Sequence, residues 1–501
     1  MAKQAKQNKK IEIKAKVEIT KSEGLWASIL AKDNRINLVV FFSAFIGVIA
    51  FLKLYYPYPA FESDSGNYVL SATTGKINGY RPFGYSSFLS FINTFSKDIQ
   101  FVVTAQWFLS MLASFFLVFS LRYIFKLKNY LIWIITACLA FNPSLVFMNS
   151  YVMSDGFFSS LTILYITTGL LLAYRKSYLI LAIHLFVMYW CFHTRYIALY
   201  FPFFTAGIIL ISFIEKRMMA IGLAIVPLFL VWFYSQQTKQ EMVSEFGVNT
   251  FSAFSGWQKA NNGVAVLPFE KVDTSKIKDK DVLYVHNIVR AFPDSFFSLI
   301  HVLETNFMWR KDFPGKAVLF DHIQKTQTPY MRSWAYVGTL LSKYGDYLQS
   351  EYRSTYIKKF IVPNSANLFH VFPIDEKKEF IADQNTKNLF ETKVEKYIFE
   401  KQFFTSLTNI RQIAEYIAWV LFSLAAILLL FFYLKSKKYV DGLKSLILPA
   451  FVVSFCIVSV YAAPINNFRY MMPIWGALIS TVAFAINLLL TSKEKKQKTN
   501  D

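Results

Sequence analysis

Ten separate apolar runs constrain this chain more than any other feature, most of them close to the roughly 20 residues that a helix needs to cross a bilayer. They lie near 37–55, 101–121, 129–148, 155–174, 177–192, 196–214, 218–235, 413–434, 443–462 and 470–491. In hydrocarbon every backbone polar group must be satisfied within its own segment, so such runs become helices. The pattern predicts an all-α polytopic membrane protein with about ten transmembrane helices. The fifth and sixth runs are short and crowd around His193-Thr194-Arg195, which leaves their ends open. A content of 54% hydrophobic residues, with 52 phenylalanines, suits a lipid-facing protein.

The formal net charge of +21 would suit a nucleic-acid binder if the chain were soluble. Here the cations gather in short loops between apolar runs, so membrane topology accounts for them and no nucleic-acid partner is expected. With the N-terminus inside, the inner loops carry Arg122, Lys126 and Lys128, then Arg175 and Lys176, then Lys216 and Arg217. Later inner segments carry Lys435, Lys437, Lys438 and Lys444, and finally Lys493, Lys495, Lys496 and Lys498, whereas Arg195 and Arg469 stand almost alone outside. Ten spans with both termini cytoplasmic satisfy every loop. The expected organisation is a basic, disordered cytoplasmic tail (1–36), an N-terminal transmembrane module (37–235) with a first outer loop (56–100), an extracytoplasmic α-rich domain (236–412), C-terminal transmembrane helices (413–491) and a second tail (492–501). Cys138, Cys191 and Cys456 lie in or beside apolar runs without disulfide or metal spacing, and read as packing residues. No internal repeat of the kind that transporters carry is visible.

Chemistry concentrates in Phe61-Glu62-Ser63-Asp64-Ser65-Gly66-Asn67-Tyr68 and Gly79-Tyr80-Arg81-Pro82-Phe83-Gly84-Tyr85, just outside the first run. A carboxylate there faces water yet borders lipid, and can meet a soluble acceptor and a lipid-borne donor together. Glu62 and Asp64, two apart, either share a divalent cation such as Mg²⁺ or Mn²⁺, or supply a general base, or are ordinary solvated acids. An amphipathic helix is expected from about Asp64, with Ser63 or Asp64 as N-cap, and an interfacial helix over Ser86–Phe95. Asp155 opens the fourth run, where helix capping and a site role compete. His193 reads first as an interfacial residue, and His286, His301, His322 and His370 lack zinc-helix spacing. Trp257, Trp309 and Trp334 read as core or interface residues of the outer domain.

The order of these motifs resembles the GT-C superfamily of polytopic glycosyltransferases, akin to protein O-mannosyltransferases and lipid A aminoarabinose transferases. The matching pieces are Phe61-x-x-Asp64-x-x-x-Tyr68, Arg81-Pro82-x-x-Tyr85, Asn142-Pro143 followed by Met153-Ser154-Asp155, the stretch Ser255–Asn262, and Asn467-Phe468-Arg469-Tyr470. The chain departs where relatives often carry Glu, having Asp155, and where they have Arg-Pro-Pro, having Arg81-Pro82-Phe83. Residues 263–410 match nothing in the pattern. The resemblance implies that Asp64, with Glu62, is the catalytic acid of the first loop. It further implies that Arg81, Arg195 and Arg469 contact a lipid phosphate, with Tyr68, Tyr85, Asp155 and His193 as further substrate-binding candidates. The implied reaction is inverting transfer of a sugar from a polyprenyl-phosphate donor to a lipid, glycan or protein acceptor, outside a bacterial cytoplasmic membrane. A secondary transporter or flippase, or a membrane assembly protein, is the competing expectation; the first predicts ionisable residues buried in mid-span and the second a dispensable Asp64.

Overall fold

Long apolar runs leave the backbone to satisfy itself, and among the described residues the chain forms helices and no strands; two isolated β-bridges join Ala60 to Tyr151 and Asp98 to Glu391. The structure, a computed structural model, describes residues 24–55, 59–304, 307–370, 384–391, 401–436 and 439–500. In chain order the principal helices are α1 (Leu25–Leu30), α2 (Arg35–Tyr55), α3 (Ser63–Thr74), α4 (Gly84–Asn93), α5 (Ile99–Phe125), α6 (Asn129–Ala140) and α7 (Pro143–Met148). Then come α8 (Ser154–Arg175), α9 (Tyr178–Thr194), α10 (Phe201–Ser212) and α11 (Arg217–Phe246). A second cluster includes α12 (Ala253–Gly263), α13 (Lys280–Val289), α14 (Pro314–Thr326) and α15 (Tyr330–Glu351), after which α16 (Lys401–Lys435), α17 (Ile447–Ala462) and α18 (Trp475–Asn500) rejoin the apolar layer.

Among the described residues, six helices are long and apolar enough to cross a membrane: Lys32–Leu54, Ile99–Phe125, Ser154–Arg175, Arg217–Phe246, Asn409–Lys435 and Met472–Ser492. A seventh counts if Tyr439–Ser445 and α17, bent by 48°, form one span. The chain is therefore a multi-pass membrane protein. The three other expected spans are helical but short: α6, α9 and Tyr196–Ser212. Asn142-Pro143 stops the third run, because a proline disfavours helical geometry in the residue before it; Asn142 sits at φ −66°, ψ 113° and its side chain caps α7 by accepting from Leu145 N at 3.2 Å. Arg195, extended at φ −144°, separates α9 from the turn that enters α10.

Residues 1–23 of the expected tail lie outside the described residues, but α1 is helical rather than disordered, burying Ile29 and setting Trp26 edge-on to Phe116 at 5.8 Å. Beyond the end of the seventh apolar run, α11 continues through a polar stretch to Phe246 before Gly247, at φ 74°, turns the chain.

The apolar layer is arranged around α8, 89% of whose apolar window is buried, against 17% for α16 at the rim. Its buried hydroxyls, such as Ser159 and Thr162, bond to carbonyls of their own helix, whereas some amides cross-link helices. Asn37 on α2 donates to Asn129 Oδ1 at 3.1 Å and accepts from Trp133 Nε1 at 2.9 Å. Residues Met242 to Ile361 build a second hydrophobic core, to which Val460 and Ile465 also belong. There α12 and α15 meet backbone to backbone. A Cβ added to Gly256 would lie 1.7 Å from the Gly338 carbonyl oxygen, so only glycine permits this approach. That closeness stacks Trp257 on Trp334, with centroids 5.4 Å apart, and lets the Trp257 indole donate to the Trp334 carbonyl at 3.1 Å.

Candidate active site

The first outer segment is not a free loop. Ala60 forms a parallel bridge to Tyr151, with Ala60 N donating to Ser150 O and Val152 N to Ala60 O, both at 2.9 Å. Gln106 of α5, fully buried, donates to the carbonyls of Asn149 and Tyr151 at 2.9 Å and accepts from Tyr85 Oη at 2.6 Å. Tyr68 Oη and Ser154 Oγ meet at 2.7 Å. These bonds dock the start of α3 against the start of α8. The N-cap of α3 is Glu62 rather than Ser63 or Asp64; Glu62 N donates to Ser65 Oγ at 2.9 Å, and Asp64 is left in the first turn with its side chain directed outward.

Arg81 reaches Asp64 because Asn78-Gly79 turns the chain. Asn78 Oδ1 accepts from both Tyr80 N and Arg81 N at 3.0 Å, and Gly79 takes φ 75°. Arg81 Nη2 then donates to Asp64 Oδ2 at 2.7 Å. From the far end of the chain, Asn467 Oδ1 accepts from Arg469 N at 3.1 Å and sets Arg469 Nη1 at 3.8 Å from Asp64 and 4.0 Å from Asp155. Arg195, at the break between α9 and α10, donates to Asp155 Oδ1. Five residues from four distant segments thus form one row, Arg195, Asp155, Arg469, Asp64, Arg81, in which three arginines exceed two carboxylates by one charge.

Electrostatics set the state of the row. Burial alone would raise the Asp64 carboxyl, but Arg81, then Arg469 and Arg195, outweigh it and hold the group below its usual range. Burial likewise opposes charge on Arg81 and Arg469, yet Asp64 for the first, and Asp155 with Asp64 for the second, keep both firmly protonated. Burial also pushes the Tyr68 phenol upward, so it stays neutral. Arg469 is under-satisfied: among the described residues its guanidinium makes no hydrogen bond, and its Nε is buried without a partner. A guanidinium with unused donors beside a cavity is ready to take an anion.

That cavity, about 1130 Å³, opens between the apolar layer and the second core. Glu62, Asp64, Tyr68, Arg81, Arg195 and Arg469 line it from the layer side, and Phe254, Gln258, Lys259 and Trp309 from the core side. Asn364 ties the two sides together, donating to the Val460 and Ala463 carbonyls at 2.9 and 2.8 Å and accepting from Ile465 N at 2.7 Å.

Two expected site residues stand apart. Tyr85 is fully buried, bonded to Gln106 and edge-on to Tyr68 at 5.0 Å, so it supports the site from behind. His193 does not line the cavity; it packs among Tyr189, Trp190 and Tyr234, and its carbonyl lies where a Cβ on Gly84 would be. Asp155 is not an N-cap, since Met153 holds that position; it is 3% exposed and serves as the buried counter-ion of Arg195 and Arg469. A divalent cation at Glu62 and Asp64 does not fit this donor set, because Asp64 Oδ2 already faces two arginines and the row carries excess positive charge. Among the described residues, no three His, Cys, Asp or Glu side chains gather as a metal cradle. The apolar layer also holds an unexpected ion pair, Arg411 and Glu415 on α16, with Nε 3.3 Å from Oε1.

Sequence reasoning missed Asn78, Gln106 and Asn364. The Asn-Gly dipeptide was a turn signal for the first; no local pattern marks the other two, whose partners are 21 or more residues away. No family model, curated protein or solved structure matches the chain, so the functional reading rests on the geometry.

Proposed function

We propose that the protein is a membrane glycosyltransferase of GT-C type, moving a sugar from a polyprenyl-phosphate carrier to an acceptor hydroxyl. The observation that carries this reading is the row of Asp64 and Asp155 interleaved with Arg81, Arg195 and Arg469, of which Asp64 and the three arginines line one large cavity beside the apolar layer. A lipid phosphate would present an acceptor-rich anion to the under-bonded Arg469 and to Arg195, which shares Asp155 with it. Asp64 Oδ2 is taken by arginines, which leaves Oδ1 for an acceptor proton.

In the proposed step the acceptor oxygen attacks the anomeric carbon, its proton passes to Asp64, and the bond from that carbon to the phosphate oxygen breaks with the electron pair leaving on the lipid phosphate. Asp64 is a weak base while both arginines face it. A phosphate that engages Arg469 removes part of that pull and strengthens the base as the donor arrives. On this reading both termini are cytoplasmic and the cavity faces outward from a bacterial cytoplasmic membrane, an orientation that the cations of the short loops support, and α6 with α7, α9, and Tyr196–Ser212 complete ten crossings. A general base contributes about 10²–10⁴-fold. In a strain lacking the wild-type gene, Asp64→Asn is therefore expected to accumulate normally in the membrane while one cellular glycoconjugate falls at least about a hundredfold. Normal levels of every glycoconjugate with the variant present would remove the transferase reading.

A further inference from the structure

The transfer step leaves one wall of the cavity unused. Trp257, Trp334 and Trp309 stand as nearly parallel indoles, with interplanar angles of 7° and 3° and centroids 5.4 and 6.4 Å apart. Trp257 and Trp334 are buried, whereas Trp309, at the end of the stack, is 41% exposed and lines the cavity. Tyr80 packs on Trp334 at 4.3 Å and on Trp309 at 5.7 Å, and Phe254 lies 6.0 Å from Trp309 at 23°. Behind them the Lys316 ammonium sits 5.1 Å from the Trp257 ring and 5.8 Å from that of Trp309, and donates to Tyr330 Oη at 3.2 Å. So many fixed neighbours hold Trp309 in one orientation, and a ligand that stacks on it spends little on ordering it.

Position gives this platform its meaning. Arg81 bridges the row to it, with the guanidinium 2.7 Å from Asp64 on one side and its carbon 5.3 Å from the Phe254 ring centre on the other. Arg469 and Arg195 therefore lie towards one end of the row, and the aromatic surface lies beyond Arg81 at the other, so that Asp64 stands between a phosphate-binding end and a stacking end. Gln258, Lys259 and Gln349 line the same wall. A hydrocarbon chain gains nothing from amides and an ammonium, but a pyranose, with an apolar C–H face and a rim of hydroxyls, uses both kinds of group. The volume, about 1130 Å³, exceeds the roughly 300–1,000 Å³ that hold a single small ligand, which leaves room for a second sugar beside a donor headgroup.

We propose that Trp309, with Tyr80 and Phe254, forms a saccharide-stacking subsite, and that the acceptor is accordingly a glycan. Naming the stacked sugar the acceptor rests on the transferase reading; the subsite itself does not. The test uses the full-length protein in lipid nanodiscs, free of sugar-based detergents, titrated with maltotriose, mannotriose and chitotriose by calorimetry and saturation-transfer NMR. At least one trisaccharide is expected to bind saturably. Trp309→Leu, which keeps apolar bulk but removes the flat ring, should weaken it about tenfold, and Trp309→Phe much less. The subsite is overturned if no trisaccharide binds the wild type, or if Trp309→Leu binds as the wild type does; should that variant not accumulate, Phe254→Leu is judged by the same criterion. Lost product in Asp64→Asn without sugar binding would remove only the subsite. Sugar binding with Asp64→Asn fully functional would remove only the transferase reading.

Discussion

The apolar layer and the second core are both helical and both closely packed, yet they obey different solvents. On α16, Val420, Leu424, Ile427 and Leu430 all face outward, Leu424 at 61% exposure; a surface of that kind is stable against lipid and a liability against water. The rim of the second core instead carries ion pairs, Lys259 with Asp346 at 2.8 Å, Arg290 with Asp294 at 2.7 Å, and Lys343 with Asp281. The difference shows why the candidate site lies on the seam. Neither solvent alone suits a row of five charges next to a large cavity, but the boundary supplies partial burial for charge and open space for ligands.

The largest expected effect falls on the second core. Gly256→Ala forces a Cβ into the Gly338 carbonyl, and overpacking against backbone should cost about 3 kcal/mol or more. Limited proteolysis is expected to cut within 250–350 before the apolar layer is attacked; simultaneous cleavage of both would show that the two regions are one cooperative unit. Next comes the seam. Arg195→Met leaves Asp155 buried with only Arg469, 4.0 Å away, so the loss should lie near the lower end of the 3–5 kcal/mol for a broken buried pair, about 3 kcal/mol. Its counterpart at the watery rim, Lys259→Met, should cost less than about 1 kcal/mol, because both partners of that pair are exposed. Thermal unfolding of the two variants in matched nanodiscs compares the regions directly, and equal shifts would deny that burial distinguishes them.

The smallest effect is a pH dependence. The folded-state pKa of Asp64 lies below its unfolded value, so its contribution to stability is fully present above the unfolded value, about 3.9, and is lost as pH falls through the folded one. The gap in melting temperature between wild type and Asp64→Asn is therefore expected to stay constant from pH 8 to about pH 5, and to close only below about pH 4. A gap that closes near neutrality would mean that the carboxyl is raised rather than depressed.

Much of this architecture was legible in the residues. Every expected apolar run is helical, and the motif around Asp64 and Arg81 does lie in the cavity, because composition and local turn chemistry, such as Asn78-Gly79, act over a few residues. The fifth and sixth runs were legible as short, but the third was not, since hydropathy registers apolar content and not where Asn142-Pro143 interrupts the helix. Tyr85 was read as a ligand group and is a buried strut; a tyrosine in a motif looks alike in either role until Gln106, 21 residues further on, is seen to accept its hydroxyl.

By itself the sequence determined the helical class, the membrane-spanning character and the candidate acid, because each follows from side-chain chemistry within a local window. Only the tertiary structure decided that Arg469 stands beside Asp64, that Asp155 is a buried counter-ion, and that Trp309 faces the cavity while Trp257 and Trp334 do not. Those relations join residues from about 40 to about 400 positions apart, and they are fixed by which helices pack together and by the hydrogen bonds of Gln106 and Asn364, information that no local pattern carries.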